Sequence, residues 1–335
     1  MSQALSLGLD AGGTGTRWAL ADADGEIRAE GQAGGLTALQ LGQPDGQALA
    51  RATVQGLAAD LAATGLPAPE RITLGITGYT DDDAPARAAL QALFAAPWAL
   101  APQAVAVHTD VALAYHAAFA PGAGFLLYAG TGSIGVHIDA EGRFHRVGGR
   151  GHLIGDGGSG HWIAIEALRR VWQREDESPG AWRDSPLARA LFARIGGSDW
   201  AASRRFVYQG ERGAVGQLAL AVAEVADADP QAAELLQGAG AELAALAATL
   251  RRRFGARPVC LAGRVAELHP RVLAGLRAAL PPDTMMRSEQ LQAHHAAARL
   301  TPFPARAPGP SHPTGAERAV PPPAPAGAQH QETSR

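Results

Sequence analysis

The sequence predicts an α/β protein of two related lobes, each of which begins with an antiparallel hairpin and continues with alternating strands and helices. A short glycine-rich turn between two apolar strands occurs at residues 13–16 and again at 130–133. The chain of 335 residues, 47% of them hydrophobic, is also long enough for one large or two medium domains with real cores.

The two turns are related by a shift of 117 positions, the separation of Gly13 and Gly130. The same shift places the second hairpin turn, residues 22–25 (Asp-Ala-Asp-Gly), on residues 139–142 (Asp-Ala-Glu-Gly) without a gap. A chance likeness between glycine-rich hairpins is the alternative, and two motifs with the same internal separation favour duplication over it. One duplication is a different architecture from a solenoid, whose period is much shorter.

Patterns of apolar residues place the elements of the first half in order. Strands are predicted at 4–9, 17–21, 26–31, 71–76 and 104–107. Helices are predicted at about 45–64, 84–95 and 110–119. Tight turns at 10–16 and 22–25 join the first three strands, because the first segment is rich in Gly and Thr and the second is Asp-Ala-Asp-Gly.

The second half repeats the strand pattern and adds more helices. Strands are predicted at 124–128, 134–138, 143–147 and 258–262. Helices are predicted at about 161–172, 215–226, 230–254 and 271–279. A glycine-rich loop covers 148–160, where Ser159 is a candidate helix cap. Prolines dominate from 301 onward, which is typical of an unstructured end, and a docking role for Pro321-Pro-Pro323 is the other interpretation.

Composition excludes several function classes. The net charge of −3 gives no broad basic surface for nucleic acid or an anionic membrane. All 29 basic residues are arginine, which excludes the lysine-dependent P-loop NTPases and Schiff-base enzymes. The single Cys260 cannot form an intrachain disulfide or a cysteine-rich zinc site. No apolar run reaches a membrane-spanning length and no signal peptide is recognised, so we expect a cytoplasmic protein.

The first turn has the chemistry of an anion site. Its glycines let backbone N–H groups approach a phosphate, and Thr14 and Thr16 add hydroxyls. Asp10, at the end of the preceding strand, is placed to hold Mg²⁺ through water. A plain hairpin turn is the alternative for one copy alone. With a second copy at 130–133, the two turns can grip a polyphosphate from both sides. Asp10 aligns with Leu127, so only the first copy has a carboxylate.

Two further aspartates are candidates for chemistry. Asp110 ends a predicted strand and begins a helix, where it can cap the helix or accept a proton from an attacking hydroxyl. The two roles are compatible, and the position at the carboxyl end of a strand favours catalysis. Asp156 lies within the glycine-rich loop, which is either a ligand-binding loop or a mobile surface segment.

These motifs, in this order, resemble the BadF-type (BadF/BadG/BcrA/BcrD) ATPase family of the sugar kinase/actin/Hsp70 superfamily, which includes N-acetylglucosamine kinases and glucosamine kinases. The resemblance spans about residues 5–280. It rests on the two turns, on Thr109-Asp110, on the glycine-rich loop with Trp162, and on Leu261-Ala-Gly263. The ordered set is specific, whereas any single motif is not.

The resemblance implies a duplicated ribonuclease-H-like (actin-like ATPase) fold with a nucleotide cleft between two lobes. It implies an ATP-dependent kinase of an amino sugar, with ATP and Mg²⁺ as cofactors. In this sequence it makes Asp110 the catalytic base, Asp10 the metal-associated residue, and Gly149 and Asp156 the sugar-binding residues. The implied nucleotide-binding residues are Gly12, Gly13, Thr14, Thr16, Gly130, Thr131, Gly132, Ser133 and Gly263.

The expected organisation is an N-terminal ATPase lobe at 1–108, a C-terminal ATPase lobe at 109–283 and a divergent, proline-rich and disordered tail at 284–335. Two residues and one segment depart from the family pattern. Arg264 stands where a second glycine is usual, and Ala38 stands where hexosamine kinases present an Asn. The chain from about 284 does not resemble the family's closing strand and helix, which return to the first lobe.

Two other functions share the same loops. An activator ATPase of a 2-hydroxyacyl-CoA dehydratase needs cysteines for an iron–sulfur cluster, and one cysteine cannot supply them. A non-catalytic sugar-sensing protein usually carries an added DNA-binding domain, for which the sequence shows no basic cluster. The expected partner is therefore a small-molecule sugar, with no nucleic acid and no membrane, and a homodimer is left open.

Overall fold

The structure is a computed structural model that describes residues 4–300, which form two five-stranded mixed sheets with flanking helices. The strands of the first sheet are β1 (Ser6–Gly12), β2 (Gly15–Ala21), β3 (Ile27–Ala33), β4 (Arg71–Ile76) and β5 (Val105–Thr109). Those of the second are β6 (Phe125–Ala129), β7 (Ser133–Ile138), β8 (Phe144–Gly148), β9 (Val259–Ala262) and β10 (Met286–Ser288).

The helices divide unevenly between the two halves. Those of the first half are α1 (Pro44–Ala63), α2 (Ala84–Ala95) and α3 (Asp110–Ala118). Those of the second half are α4 (Gly160–Glu177), α5 (Pro186–Ile195), α6 (Trp200–Gln209), α7 (Arg212–Val225), α8 (Pro230–Phe254), α9 (Pro270–Ala279) and α10 (Ala293–Arg299). No helix within the described part of the chain is long and apolar enough to cross a lipid bilayer.

The two sheets have the same topology. The first has the strand order β3-β2-β1-β4-β5, and the second has the order β8-β7-β6-β9-β10. In both, the leading three strands are antiparallel, and the remaining two run parallel to the central one. The duplicated ribonuclease-H-like α/β fold is therefore confirmed.

The residues of strand β1 alternate between the two faces of the first sheet. Leu7, Leu9 and Ala11 alternate into a core shared with α1 and α2, as the period of two in a strand requires. Gly8 and Asp10 lie on the opposite face. An ideal Cβ at Gly8 would lie 2.1 Å from the backbone N of Ala298, so a glycine is needed for α10 to reach the sheet.

Helices α3 and α10 each link the two halves. Helix α3 follows β5 of the first sheet, but three of its four buried residues pack against β6, β7 and β9 of the second. The hydroxyl of Tyr115 on α3 lies 3.1 Å from the carbonyl oxygens of both Gly124 and Ile138. Helix α10 follows β10 of the second sheet and packs on β1, β2 and α3. Asp110, the first residue of α3, therefore lies at the junction of the two lobes.

The expectation of a disordered tail from residue 284 is wrong for residues 284–300. These residues supply β10, which pairs with β9, and α10, which returns to the first sheet. Strand β10 has three residues and α10 has seven, and the small alanines of α10 pack tightly without a run of large apolar side chains. The sequence therefore carries little apolar periodicity there. Residues 301–335, with the proline run at 321–323, lie outside the described part.

Candidate active site

Two carboxylates come together at the carboxyl ends of the first sheet's parallel strands. Asp10 lies near the end of β1 and pairs in register with Gly75 of β4, while Asp110 follows β5 directly. Burial and the neighbouring charge of Asp110 raise the pKa of Asp10 from 3.8 to about 6, against a smaller lowering by Arg17. The carboxylate of Asp10 is therefore short of positive charge, which a cation would supply.

Hydrogen bonds fix the carboxylate of Asp110 in one orientation. Its Oδ2 accepts a bond of 2.6 Å from the hydroxyl of Thr77, and its Oδ1 accepts one of 2.8 Å from the backbone N–H of Val111. The N-cap of α3 is Thr109, whose hydroxyl accepts from the N–H of Ala112 at 3.1 Å. Asp110 is thus not the cap residue, although it does bind a backbone amide in the first turn.

Thr77 is a site residue that the sequence interpretation missed. It directly follows β4, its N–H donates to the carbonyl of Ala11 at 3.0 Å, and its carbonyl accepts from the N–H of Ala38 at 3.0 Å. Both sides of its backbone are therefore tied down while its side chain holds Asp110. A polar residue immediately after a buried parallel strand is the signal that could have identified it, as it identified Asp110.

In the first turn, Gly13 and Thr14 are exposed, and Gly12 is half-buried. The loop after β3 lies against this turn, since the N–H of Leu36 donates to the carbonyl of Gly12 at 3.0 Å. Thr16 differs from its neighbours. Its residue is 2% exposed, and its hydroxyl donates to the carbonyl of Gly34 at 2.9 Å.

Thr16 therefore holds the loop after β3 in place. The expectation that its hydroxyl binds phosphate is not met in this conformation, because burial and the bond to Gly34 occupy the group.

The second turn is supported by a helix. The N–H of Gly160, at the start of α4, donates to the carbonyl of Gly130 at 2.8 Å, and that of His161 donates to the carbonyl of Thr131 at 3.3 Å. Ser159 caps α4 by accepting from the N–H of Trp162 at 3.1 Å, as the sequence predicts. There is free space next to Gly130, since an ideal Cβ at that residue would meet no atom within 4 Å.

Ser133 repeats the arrangement of Thr16. It is 4% exposed, and its hydroxyl donates to the carbonyl of Gly157 at 2.7 Å. The predicted phosphate contact of its hydroxyl is likewise not met here. In both lobes, the last residue of the turn therefore ties a neighbouring loop to the hairpin. The backbone amides and the exposed or half-buried residues of the turns remain available to bind a ligand.

Asp156 lies over the second turn, paired with an arginine that sequence reasoning did not select. Its residue is 5% exposed, and its Oδ2 accepts from Nη2 of Arg212, at the start of α7, at 2.6 Å. An ideal Cβ at Gly132 would lie 2.5 Å from that nitrogen and 2.8 Å from Asp156 Oδ2. Arg212 carries no local motif, because it reaches this site from another helix.

The backbone around the glycine-rich loop is unusual. Asp156 has a φ of +61°, a left-handed conformation that is uncommon outside glycine. Gly149 has a φ of +63°, and an ideal Cβ there would lie 2.8 Å from Cδ1 of Ile134 on β7. The contacts of both predicted sugar-binding residues are thus with the second lobe, and their sugar-binding role remains a prediction.

Tyr128 of the second lobe lies near charged residues of the first. It lies at the end of β6, two residues before the second turn. Burial raises its pKa first, and the charges of Asp10 and Asp110 raise it further, while Arg17 and Arg264 lower it. The end of β6 is therefore within electrostatic range of Asp10 and Asp110.

Gly263 lies beside the second turn. Its φ of +92° and the 2.4 Å between an ideal Cβ and the carbonyl oxygen of Ala129 both demand glycine, because β9 ends against β6 there. Arg264 follows and is near enough for its charge to affect Tyr128. The predicted adenine-binding segment therefore lies next to the second turn.

The residues present fit the groups that the sequence implies. Asp10 offers a hard carboxylate oxygen in an electrically negative position, which is the kind of ligand that Mg²⁺ takes. The glycines of the turns leave room for a polyphosphate near backbone amides, with open space at Gly130.

The sequence of this chain matches a known protein family and, over a short segment, a characterised kinase. A family profile described as the BadF/BadG/BcrA/BcrD ATPase family matches residues 7–295. The N-acetylmuramic acid/N-acetylglucosamine kinase of Clostridium acetobutylicum is 44% identical over 54 residues, which are 16% of this chain and only 18% of that kinase.

Two solved structures extend the comparison. The candidate N-acetylglucosamine kinase of Chromobacterium violaceum is 26% identical, with a TM-score of 0.68 over 90% of this chain and 99% of that one. A ROK family glucokinase from Streptomyces griseus, solved with glucose and AMPPNP, has the same fold at 18% identity, with a TM-score of 0.52 over 88% of this chain and 96% of that one.

Proposed function

This chain belongs to the BadF/BadG/BcrA/BcrD ATPase family, and on that premise we propose that it is an ATP-dependent kinase that phosphorylates a hydroxyl of an amino sugar, N-acetylglucosamine or glucosamine. The observation that carries the proposal is Asp110, a carboxylate oriented by two hydrogen bonds at the junction of the two lobes and within electrostatic range of Tyr128, just before the second glycine turn. The structural similarity to a candidate N-acetylglucosamine kinase over 99% of its chain supports the choice of sugar class.

Asp110 acts as the general base. A carboxylate offers about four lone-pair directions over its two oxygens, and Thr77 and Val111 occupy one on each. A sugar hydroxyl can therefore still donate to Asp110. The carboxylate accepts that proton while the hydroxyl oxygen bonds to the γ-phosphorus of ATP, the bond from that phosphorus to the bridging oxygen breaks, and ADP leaves.

The turns hold the nucleotide. Backbone amides of Gly12, Gly13 and Thr14 from one lobe, and of Thr131 and Gly132 from the other, bind the phosphates, and Gly263 borders the adenine. The amide of Gly130 instead donates to the carbonyl of Gly132 at 2.8 Å and holds the turn in shape. The hydroxyls of Thr16 and Ser133 contribute by fixing the loops at 34 and 157 rather than by binding phosphate directly. Closure of the lobes brings the two sets of amides together and excludes water.

Asp10 is the residue that would hold Mg²⁺, through water because Mg²⁺ keeps most of its hydration shell. The ion supplies charge neutralisation for the phosphates. Asp10 needs this cation as well, since burial and Asp110 both penalise its ionised form.

Gly149 and Asp156 bind the sugar in the proposal. Asp156 keeps one carboxylate oxygen, Oδ1, that takes no part in the bond to Arg212, so it can accept a sugar hydroxyl without losing its cation. Ala38 is buried and offers no side-chain hydrogen bond, so the sugar would have to be bound without the Asn contact that hexosamine kinases usually make.

The activator-ATPase alternative has no support in the described residues. Cys260 is fully buried in β9, where it cannot share a surface cluster with a second subunit.

The test is ATP consumption over a panel of hexoses and hexosamines, with the position of the product phosphate determined by NMR. The proposal predicts turnover on an amino sugar and a sugar phosphate as the product. ATP hydrolysis without sugar phosphate, or turnover only on sugars without an amino group, would contradict it.

A further inference from the structure

A cluster of two histidines and one glutamate joins α10 to β3 and contains none of the residues proposed for the active site. His294 and His295 lie in the first turn of α10, and Glu30 lies on β3. The Nε2 of His295 contacts Oε2 of Glu30, and the Nε2 of His294 lies 3.7 Å from the same oxygen. One nitrogen or oxygen from each residue can be chosen so that all three atoms lie within 4.8 Å of one another.

The position of His294 is costly for an ordinary histidine. Its residue is 5% exposed, and its Nδ1 has no hydrogen-bond partner within residues 4–300. The 3.7 Å from Nε2 to the carboxylate exceeds a normal hydrogen bond. It is close to the separation of about 3.4 Å between two ligand atoms that share one tetrahedral ion at about 2.1 Å. The spacing of His294 from Glu30 is therefore better suited to a bridging cation than to a direct bond. His295 makes a direct bond to the same oxygen of Glu30, and a bound ion would replace that bond.

The packing of α10 on the first sheet fixes the positions of the two histidines. Gly8 admits the backbone of Ala298 against β1, and Ala293 and Ala297 pack beside Leu113 of α3. Because the helix is held along its length, the two histidines at its start are presented to Glu30 by the fold and not by a flexible end. The carboxylate of Glu30 remains accessible to solvent, so water can complete a coordination shell.

We propose that Glu30, His294 and His295 form a binding site for a divalent transition-metal ion of the zinc class, with water in the remaining position. Imidazole nitrogens select Zn²⁺, Co²⁺ or Ni²⁺ over the hard cations Mg²⁺ and Ca²⁺. The ion fastens α10, which directly follows the crossing from the second sheet, to β3 of the first. Its role is structural, and it is separate from the magnesium site proposed at Asp10.

The charges around the site do not prevent binding. Arg17 of β2 lies near enough to His294 for its charge to act on that ring, and it opposes a cation. Glu30 contributes one negative charge as a direct ligand, at a much shorter distance than Arg17.

The experiment uses the full chain, freed of metal with a chelator and dialysed against Zn²⁺ or Co²⁺. Glu30→Gln is the main variant because residue 30 is exposed, so folding is not at risk. Glu26→Gln, an exposed glutamate just before the same strand, is the matched control. His295→Asn tests a second ligand. Bound metal is measured by elemental analysis, thermal stability by calorimetry, and the Co²⁺ environment by visible absorption.

The proposal predicts about one Zn²⁺ per chain, a higher Tm with Zn²⁺ than without it, and a tetrahedral or five-coordinate Co²⁺ spectrum. Glu30→Gln and His295→Asn should lose the bound ion and the rise in Tm, while Glu26→Gln should keep both. If the native chain binds no Zn²⁺, or if Glu30→Gln binds as much as Glu26→Gln, then the cluster is only a hydrogen-bonded contact. None of these readouts depends on kinase activity.

Discussion

The two glycine turns share a frame but differ in what surrounds them. Thr16 and Ser133, 117 positions apart, both use a buried hydroxyl to hold a glycine carbonyl of the following loop. The first turn is exposed at its tip, whereas the second is supported from behind by the N-terminus of α4 and covered by the pair of Asp156 and Arg212. Duplication preserved the anchoring of each hairpin, while the chemistry around it diverged.

Charge is the clearest difference between the lobes. Asp10 and Asp110 are both in or next to the first sheet, and the position that matches Asp10 in the second copy is Leu127, which is fully buried. The second turn has Arg212 and a helix N-terminus instead. In the proposed kinase, this division gives the proton and the metal to the first lobe and much of the phosphate binding to the second.

The largest expected effect comes from removing the carboxylate of Asp110. Asp110→Asn should lower kcat by about 10²–10⁴-fold, because it removes the proton acceptor, while the affinity for ATP stays near normal. Steady-state kinetics and a nucleotide-binding titration measure the two quantities. Asp45→Asn, on α1, is the control. Turnover of Asp110→Asn close to that of the control would remove Asp110 from the mechanism.

Asp10 should show opposite effects on stability and activity. Asp10→Asn should lose Mg²⁺-dependent turnover but unfold less readily at pH 8 than the native chain. The folded pKa of about 6 exceeds the ordinary 3.8, so the folded state binds the proton more tightly. The contribution of Asp10 to the free energy of unfolding is therefore fully present below about pH 4 and is lost as the pH rises through about 6.

Urea unfolding at pH 4 and pH 8 measures this difference without magnesium. The gain of Asp10→Asn over the native chain should be near zero at pH 4 and reach at most about 3 kcal/mol at pH 8. A gain that is equal at the two pH values would mean that the charge of Asp10 is not penalised by its surroundings.

The glycines of the second turn should separate ligand binding from folding. Gly130→Ala places a methyl in open space, so the Tm should not change, while the KM for ATP should rise by about tenfold, a loss of roughly 1.4 kcal/mol. Gly132→Ala drives Arg212 away from Asp156 and should cost about 1 kcal/mol of stability as well. Calorimetry and ATP kinetics on both variants decide, and equal Tm losses would refute the distinction.

The smallest effects should come from the paired anchors. Thr16→Val and Ser133→Ala each remove a buried hydroxyl that donates to a loop carbonyl, and each should cost about 1 kcal/mol of unfolding free energy. Similar losses would support equivalent roles in the two copies. If Ser133→Ala instead abolished nucleotide binding at unchanged stability, its hydroxyl would be a direct phosphate ligand.

The sequence was most informative where local patterns repeat. The hairpins, the following strands and the position of Asp110 after β5 could all be predicted, because apolar alternation and turn residues are local signals. Helices α5 and α6 were not predicted, although the other three helices between β8 and β9 were.

The partners of site residues were harder to predict than the residues themselves. Thr77 and Arg212 act through contacts with Asp110 and Asp156 that are 33 and 56 positions distant in the chain. Likewise, α10 packs through alanines against Gly8, which leaves no pattern of large side chains to recognise. Such contacts depend on the tertiary arrangement and carry no local signature.

The most direct test of the proposed kinase mechanism is a crystal structure of the chain with Mg²⁺, AMPPNP and an amino sugar. We expect the triphosphate to lie between the backbone of residues 12–14 and that of 130–132, with Asp10 on the metal side and a sugar hydroxyl within hydrogen-bond distance of Asp110. A nucleotide held by one turn alone, or a sugar remote from Asp110, would contradict it.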